Sequence, residues 1–408
     1  MSVFTSEAVC KGHPDKLCDQ VADAILDACL KQDKDSHVAC EVCCTTGTII
    51  LMGEISTKAI VNYKDIARDV VHKIGYDNAE YGIDSQHCSV IDLIDKQSPE
   101  INNAVNKSLE LRGPNTVDEY DMQGAGDQGI IFGYACNETK NYMPLSIYLA
   151  HELARKLEYV REHDTTTFLR PDGKTQVSVV YNDEGKITGI DTILVSAQHN
   201  PCVSEEYLHH YILNNVINPV LLDCEVNSLC NDKTKYLINP SGSFVVGGPQ
   251  GDTGLTGRKL AVDTYGGHAK FGGGAMCGKD PSKVDRSAAY MARYIAKHIV
   301  AAGYSDRCEV QISYAIGVAK PVSVNVNTFS RNSLNIPDGY ISNVVNKLFD
   351  MRPAAIIETL GLKDYTYSNL SGKCQFGDND APWEVLDKSK IDSLIKYRLD
   401  YLKSYTSD

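Results

Sequence analysis

Residues 247–286 read GGPQGDTGLTGRKLAVDTYGGHAKFGGGAMCGKDPSKVDR. They form two glycine-rich loops, each followed by cations: Arg258 and Lys259 after the first, Lys279 and Lys283 after the second. Glycine lets a backbone approach a ligand closely and turn its N–H groups toward it. Lysine and arginine at the ends of such loops make a nest for a polyphosphate. Acids lie among the cations at Asp252, Asp280 and Asp285. Both signs at this density point to phosphate plus a divalent metal, with carboxylates holding an ion that bridges phosphate oxygens.

The second loop comes close to a P-loop, since residues 273–279 fit G-x-x-x-x-G-K. It departs from one at Asp280, where a serine or threonine should meet magnesium, and no apolar strand precedes it. A P-loop, a structural glycine turn and a phosphate cradle of another kind stay open. The run of glycines ending in lysine is hard to explain as packing, which favours the third.

Three further clusters stand out. Residues 12–16, GHPDK, open a helix whose N-terminal end attracts anions, with His13 and Lys16 as donors and Asp15 as a metal carboxylate. Residues 123–129, QGAGDQG, wrap glycines round Asp127, which suits the amine of a small ligand, although a tight turn into a strand would look the same. Residues 170–174, RPDGK, set Asp172 and Lys174 two apart in an expected turn.

The chain has 408 residues, 43% of them apolar and 23% charged, which predicts two or three globular domains. A net charge of −13 argues against general nucleic-acid binding, so the basic loops are local exceptions. No apolar run is long enough to span a membrane. The start of the chain lacks a signal-peptide core, and the 14 scattered cysteines suit a reducing cytoplasm. The one C-x-x-C, Cys40 to Cys43, lies in a strand-like run and is expected to be structural.

Periodicity predicts helices over 15–32, 205–222 and 283–302, and a short one from 352. It predicts strands within 37–55, and hairpins pairing 176–181 with 186–198 and 308–316 with 322–328. Asp19, Asp23 and Asp27 are spaced as a solvated helix face, and residues 107–120 as an exposed mobile loop. Hairpin sheets covered by helices indicate an α+β protein. A G-D-x-G echo at 126–129 and 251–254 hints at duplication.

Taken together these segments resemble the methionine adenosyltransferase (S-adenosylmethionine synthetase) family. The resemblance rests on FTSEAV-x-x-GHPDK at 4–16, ACE at 39–41, GAGDQG-x-x-FGYA at 124–135 and RPDGK at 170–174. It continues through INPSG-x-FV-x-GGP-x-GD-x-GLTGRK at 238–259, VDTYGG at 262–267, GGGA-x-x-GKDPSKVDRSAAY at 273–290, SYAIGVA at 313–319 and PWE at 382–384. It implies attack of methionine sulfur on C5′ of ATP, then hydrolysis of the triphosphate to phosphate and diphosphate. It assigns His13 to C5′–O5′ cleavage and Lys174, Arg258, Lys259 and Lys279 to a triphosphate clamp. Asp172, Asp252 and the adenine-stacking Phe244 complete the ATP set. Two Mg2+ per site fall to Asp15 and Asp285, and K+ to Glu41. Methionine is expected at Asp127 and Lys283, with Glu54, Gln97 and Ile316 nearby.

The resemblance further implies an α+β fold of three similar βαβ-type repeats round a pseudo-threefold axis. The repeats are expected at 1–105, 117–236 and 237–375, with a tail at 376–408. It also implies a homodimer, possibly a dimer of dimers, with sites shared between chains. The chain departs from the family pattern at Cys10-Lys11, at Thr45 in place of a lysine, and in the altered stretch 107–120. An unrelated ATP-using phosphotransferase would leave GHPDK and GAGDQG unexplained. A non-catalytic relative would be expected to have lost a clamp or metal residue, and none is missing.

Overall fold

The computed structural model describes residues 1–96, 108–112, 118–164, 168–330, 332 and 334–405. Among them, strands form three sheets. The first is β1 (Ser2–Val9), β6 (Leu169–Tyr181), β7 (Ile187–His199) and β8 (Lys235–Ile238), in that order. The second runs β4 (Ser89–Asp95), β3 (Thr48–Ser56), β2 (His37–Thr45) and β9 (Gly254–Leu255). The third runs β11 (Ser323–Asn327), β10 (Arg307–Tyr314) and β5 (Gly129–Cys136). Most neighbours are antiparallel, but β3–β4 and β7–β8 are parallel. This is an α+β architecture.

Each sheet carries one long helix. Helix α1 (Pro14–Gln32) packs on β2, α3 (Leu145–His163) on β6 and β1, and α5 (Val284–Ala301) on β5 and β10. Helix α2 (Tyr63–Ile74) lies against α1, α6 (Asp338–Leu348) against β11, and α7 (Pro353–Thr359) against α5. Two apolar clusters result: Leu153, Val177 and Ile193 under the first sheet, and Leu17, Val42, Ile295 and Val310 shared by the other two. No helix of the described residues is long and apolar enough to cross a membrane.

Strands cross between distant segments. β1 enters the sheet of β6, β5 pairs with β10, and β9 pairs with β2. β10 alternates as its sequence predicts, burying Cys308, Val310, Ile312 and Tyr314, and it pairs with β11 from Glu309–Asn327 to Ser313–Ser323. The hairpin of β6 and β7 is longer than expected. Residues 170–174 are not a turn but an irregular stretch of β6, where the register slips between Leu169 and Gly173. The helix expected over 205–222 is α4 (Glu205–Ile212), a π-turn at Leu213–Ile217 and a further turn, Asn218–Asp223. Pro219 lacks an N–H, and the wider turn absorbs the missing bond.

Asp19 and Asp23 overturn the expectation of a solvated face, since both are 0% exposed. Each accepts a backbone N–H from a glycine loop: Gly257 to Asp19 (3.0 Å) and Gly278 to Asp23 (2.8 Å). Asp23 also takes both Nη atoms of Arg286 at 2.8 and 2.7 Å, and Asp27 caps Tyr367 and Ser368. The acidic row is a set of docking pegs. At the far side of α5, Glu384 of the PWE segment binds Arg293 and Lys297, while Trp383 stacks on Tyr290 at 3.5 Å. These contacts fix the helix whose first turn carries Asp285.

Candidate active site

The edge of β2 turned away from β3 organises the site. Near its end, Cys43 and Cys44 pair with Leu255 and Gly254, and the Thr256 N–H donates to Val42 O (2.9 Å). Nearer its start, the Cys40 N–H donates to Gly278 O (2.9 Å), Ala39 bridges Lys279, and Val38 exchanges hydrogen bonds with Asp280. The two glycine loops therefore lie side by side on one strand, about 13 Å apart along it. Gly278 has φ +78°, and a Cβ there would meet Cys40 O at 2.0 Å, so only glycine allows this seam. The C-x-x-C separates on the same strand: Cys40 is in the core and Cys43 on the opposite face.

The first loop meets the start of α1. Asp15 lies in the first turn and is 1% exposed. Its carboxylate accepts the Leu255 N–H (2.9 Å) and the Lys259 ammonium (2.5 Å), with Arg258 Nε at 3.6 Å. Burial alone would raise its pKa, but these partners outweigh it and hold Asp15 below the usual carboxylate range.

His13 caps the same helix, its Nδ1 accepting the Asp15 N–H at 3.2 Å. Burial and the nearby Lys259 push its pKa down to about 3, so the ring is neutral despite Asp15 Oδ2 at 3.9 Å. With Nδ1 accepting, the proton is on Nε2, leaving an N–H donor. Lys16, fully buried, stays charged between Asp19 (3.0 Å) and Asp263 (2.6 Å).

β1 and β6 bring a third wall. Lys174 pairs with Val9 and is exposed. Asp172 is 7% exposed and accepts the Gly248 N–H at 2.8 Å, while its other oxygen, Oδ1, has no partner. Burial pushes its pKa up to about 6. Gln198 joins this wall to the first loop, accepting from Asp172 N (3.2 Å) and donating to Val245 O (3.0 Å). The neighbouring Phe244, half-buried, is tied through its backbone to His199. Asp252 is exposed and caps the Thr253 N–H.

The second loop forms a separate group. Lys279 pairs with Asp285 at 2.7 Å, and Lys283 with Asp280 at 2.7 Å. Asp280 also accepts the Val38 and Ser282 N–H groups, so it is a buried brace rather than a metal ligand. Helix α5 begins at Val284, five residues after Lys279, which is not P-loop geometry. Gly129 at the start of β5 lies 4.0 Å (from an added Cβ) from Asp285 Oδ1, which brings the 123–129 loop and its exposed Asp127 to this side. Ile316, 50% exposed, bridges Ala125 of that loop.

Among the described residues, no hydrogen bond or ion pair joins the Asp15–Lys259 group to the Lys279–Asp285 group. Glu41 stands on β2 between the two loops. Burial pushes its pKa up, Lys279 opposes this, and Asp19 and Glu54 add to it. Glu54 is exposed on β3, opposite Ala39. Gln97 lies outside the described residues. Sequence reasoning missed Asp23, Arg286, Gln198 and the brace role of Asp280. Only Asp280 had a local signal, its place straight after G-K.

The departures have structural contacts. Cys10 is buried against Ala154 O (3.8 Å), Lys11 binds Glu158 of α3, and Thr45 ends β2 in register with Thr48. The stretch expected as an exposed loop is anchored where it is described: Ser108 is 0% exposed, and its N–H and hydroxyl bond Met122 O and Asp121 O.

No group of three His, Cys, Asp or Glu side chains able to hold a metal occurs among the described residues. The donors here are single carboxylates, each already facing an ammonium. Magnesium suits such a set, since it keeps water and takes one or two carboxylates plus phosphate oxygens.

Sequence models of the S-adenosylmethionine synthetase N-terminal, central and C-terminal domains match residues 1–99, 122–244 and 246–385. An S-adenosylmethionine synthase of Thermosynechococcus vestitus is 53% identical over 403 residues, covering 95% of this chain and 96% of that protein. Another, from Microcystis aeruginosa, is 50% identical over 406 residues, with the same coverage of 95% and 96%.

Proposed function

The chain belongs to the S-adenosylmethionine synthetase family and makes S-adenosylmethionine from ATP and methionine, and we propose that the two loops on β2 and the start of α1 are its triphosphate cradle. The observation that carries this is a pair of cation–carboxylate groups on one strand edge: Arg258 and Lys259 face Asp15 at the start of α1, and farther along the edge Lys279 faces Asp285 and Lys283 faces Asp280.

A thioether sulfur has no proton to lose, so its attack on C5′ needs no general base. The demand is on the leaving triphosphate, whose charge grows as C5′–O5′ breaks. Preorganised cations lower that barrier. Arg258, Lys259, Lys279 and Lys174 fill this role. His13, held neutral by burial and the nearby Lys259, donates its Nε2–H to the departing oxygen. Phe244 offers a face for adenine, and the unpartnered Asp172 Oδ1 an acceptor within the ATP set. Asp127 and Lys283 take the methionine amine and carboxylate, beside Ile316, Glu54 and Gln97.

Asp15 and Asp285 would each hold a magnesium ion, two per site, and Glu41 a potassium ion. Bound there, the divalent ions neutralise phosphate charge and orient the triphosphate for hydrolysis. The ammonium groups of Lys259 and Lys279, now on these carboxylates, are then free for phosphate oxygens.

The separation of the two cationic groups supports a site completed by a second copy in a homodimer, with a dimer of dimers as the further assembly. The outer face of the second sheet supports the same reading, exposing Ile91 (41%) and Leu93 (59%). All 14 cysteines are free thiols, which supports a reducing, cytoplasmic setting.

The test is the purified chain with ATP, methionine, Mg2+ and K+, read by mass spectrometry for S-adenosylmethionine with equal phosphate and diphosphate. Omitting either ion should lower the rate. Full activity without Mg2+ would sink the metal assignment, and retention of triphosphate would sink the shared cradle.

A further inference from the structure

Arg352, just before α7, lies outside the groups described so far. Its Nη1 donates to Asp118 (2.7 Å) and Asp121 (2.9 Å), its Nε to Asp350 (2.9 Å) and its Nη2 to the same carboxylate. The guanidinium carbon is 5.3 Å from the Tyr120 ring centroid. One side chain thus holds the whole 3₁₀ turn Glu119–Asp121 and its cap. The Arg352 side chain (13% exposed) and Asp121 (8%) are largely buried, while Asp350 (38%) and Asp118 (58%) reach the surface. A planar five-donor fork can serve three carboxylates at once, which an ammonium cannot.

That turn is the base of the 123–127 loop, and a second clasp holds the loop's partner. The Glu110 carboxylate accepts the Ala319 N–H at 3.0 and 3.1 Å and the Lys320 N–H at 3.0 Å, while the Leu109 N–H donates to Gly317 O (2.8 Å). From the opposite side, the Ala125 N–H donates to Val318 O (3.0 Å) and Ala125 O accepts the Gly317 N–H (2.9 Å). Gly124 fits only because it has no side chain, since a Cβ would lie 2.5 Å from the Gly317 carbonyl carbon. Residues 316–320 are therefore gripped between Glu110 and Ala125. Ile316 bridges Ala125, and Asp127 follows two residues later.

We propose that Arg352, acting with Glu110, is a positioning residue for the methionine end of the site. It touches neither substrate. By fixing the Asp118–Asp121 turn it sets where the 123–127 loop and Ile316 stand, and so the placement of Asp127. The inference rests on the reading of Asp127 and Ile316 as methionine contacts, and concerns that end only, because Arg258, Lys259 and Lys279 are held by β2 and α1 instead.

The experiment compares Arg352→Met, Arg352→Lys, Glu110→Gln and Asp127→Asn in the full-length enzyme. It uses steady-state kinetics with each substrate varied, calorimetric titration with methionine, and thermal melts. A positioning role predicts KM for methionine raised about tenfold in Arg352→Met and Glu110→Gln, with KM for ATP changed less than about twofold. Arg352→Lys should recover only part of the loss, because one ammonium cannot hold three carboxylates. A general loss of stability would instead move both KM values and the melting point together. The proposal is overturned if Arg352→Met raises both KM values alike, or changes neither, while Asp127→Asn raises that for methionine. If Asp127→Asn leaves methionine binding intact, the methionine reading itself has failed and the proposal with it. Should Arg352→Met not fold, Glu110→Gln carries the same comparison.

Discussion

At the scale of single residues, charge placement is what the chemistry asks for. Lys279 pairs with Asp285 in a partly exposed contact of the second loop, so its removal should spare the fold. Lys279→Ala is expected to lower kcat by about 10²-fold or more, since a preorganised cation on a leaving phosphate contributes several kcal/mol of barrier lowering. A wild-type rate would remove Lys279 from the clamp. Asp285→Asn should shift the Mg2+ dependence of the rate upward by about tenfold, the change expected on losing one hard oxygen anion. An unaltered Mg2+ titration would mean the ion sits elsewhere. Asp172 predicts a pH effect. Its folded pKa is about 6 against an ordinary 3.8, so the fold favours the neutral acid. The stability it contributes is full below pH ~4 and lost as pH rises through ~6, on the order of 2–3 kcal/mol. Asp172→Asn should remove that decline, read as the difference between urea midpoints of the two proteins at pH 4.5 and 7. Parallel curves would show that Asp172 ionises normally. The glycines, lysines and GHPDK were legible at this scale, because a loop that binds phosphate needs those residue types next to one another in sequence. Gln198 was not, because its role depends on a partner on another element.

At the scale of elements, α1 and β2 are the scaffold of the proposed site. The stripe of Leu17, Val21 and Ile25 revealed the helix, and alternation revealed β10. The acidic row was misread because four-residue spacing places Asp19, Asp23 and Asp27 on one face without saying what that face meets. Arg286 is 263 residues from Asp23 in sequence, so no local pattern could disclose the pair. Its burial yields a sharp expectation. Asp23→Ala strands a buried guanidinium and the Gly278 N–H, and should cost roughly 3–5 kcal/mol. Asp27→Ala, which frees only the Tyr367 and Ser368 N–H groups, should cost roughly 1–2 kcal/mol. Denaturant midpoints measure both, and equal losses would show that the Arg286 pair adds nothing to the seam between α1 and the second loop.

At the scale of the whole molecule, each sheet borrows a strand from a distant part of the chain, which is why the loops of 247–286 can line a strand at 37–45. Among the described residues no hydrogen bond or ion pair joins the two cationic groups, and the proposed shared site predicts complementation. His13→Ala and Lys279→Ala subunits, each inactive alone, should regain activity when refolded together, to roughly a quarter of wild type if assembly is random and one site in each heterodimer is intact. No recovery in verified heterodimers would mean that each site is built within one chain. The sequence by itself determined the family and pointed to the loops proposed to bind phosphate, because motifs for backbone approach and charge are contiguous. Tertiary structure alone decided which strand edge carries both loops, that Asp19 and Asp23 are buried pegs, that Asp280 docks on Val38, and that Arg352 grips the Asp118–Asp121 turn. Those facts depend on contacts between segments hundreds of residues apart, where a side chain's role is set by what burial brings to it rather than by its neighbours in the chain.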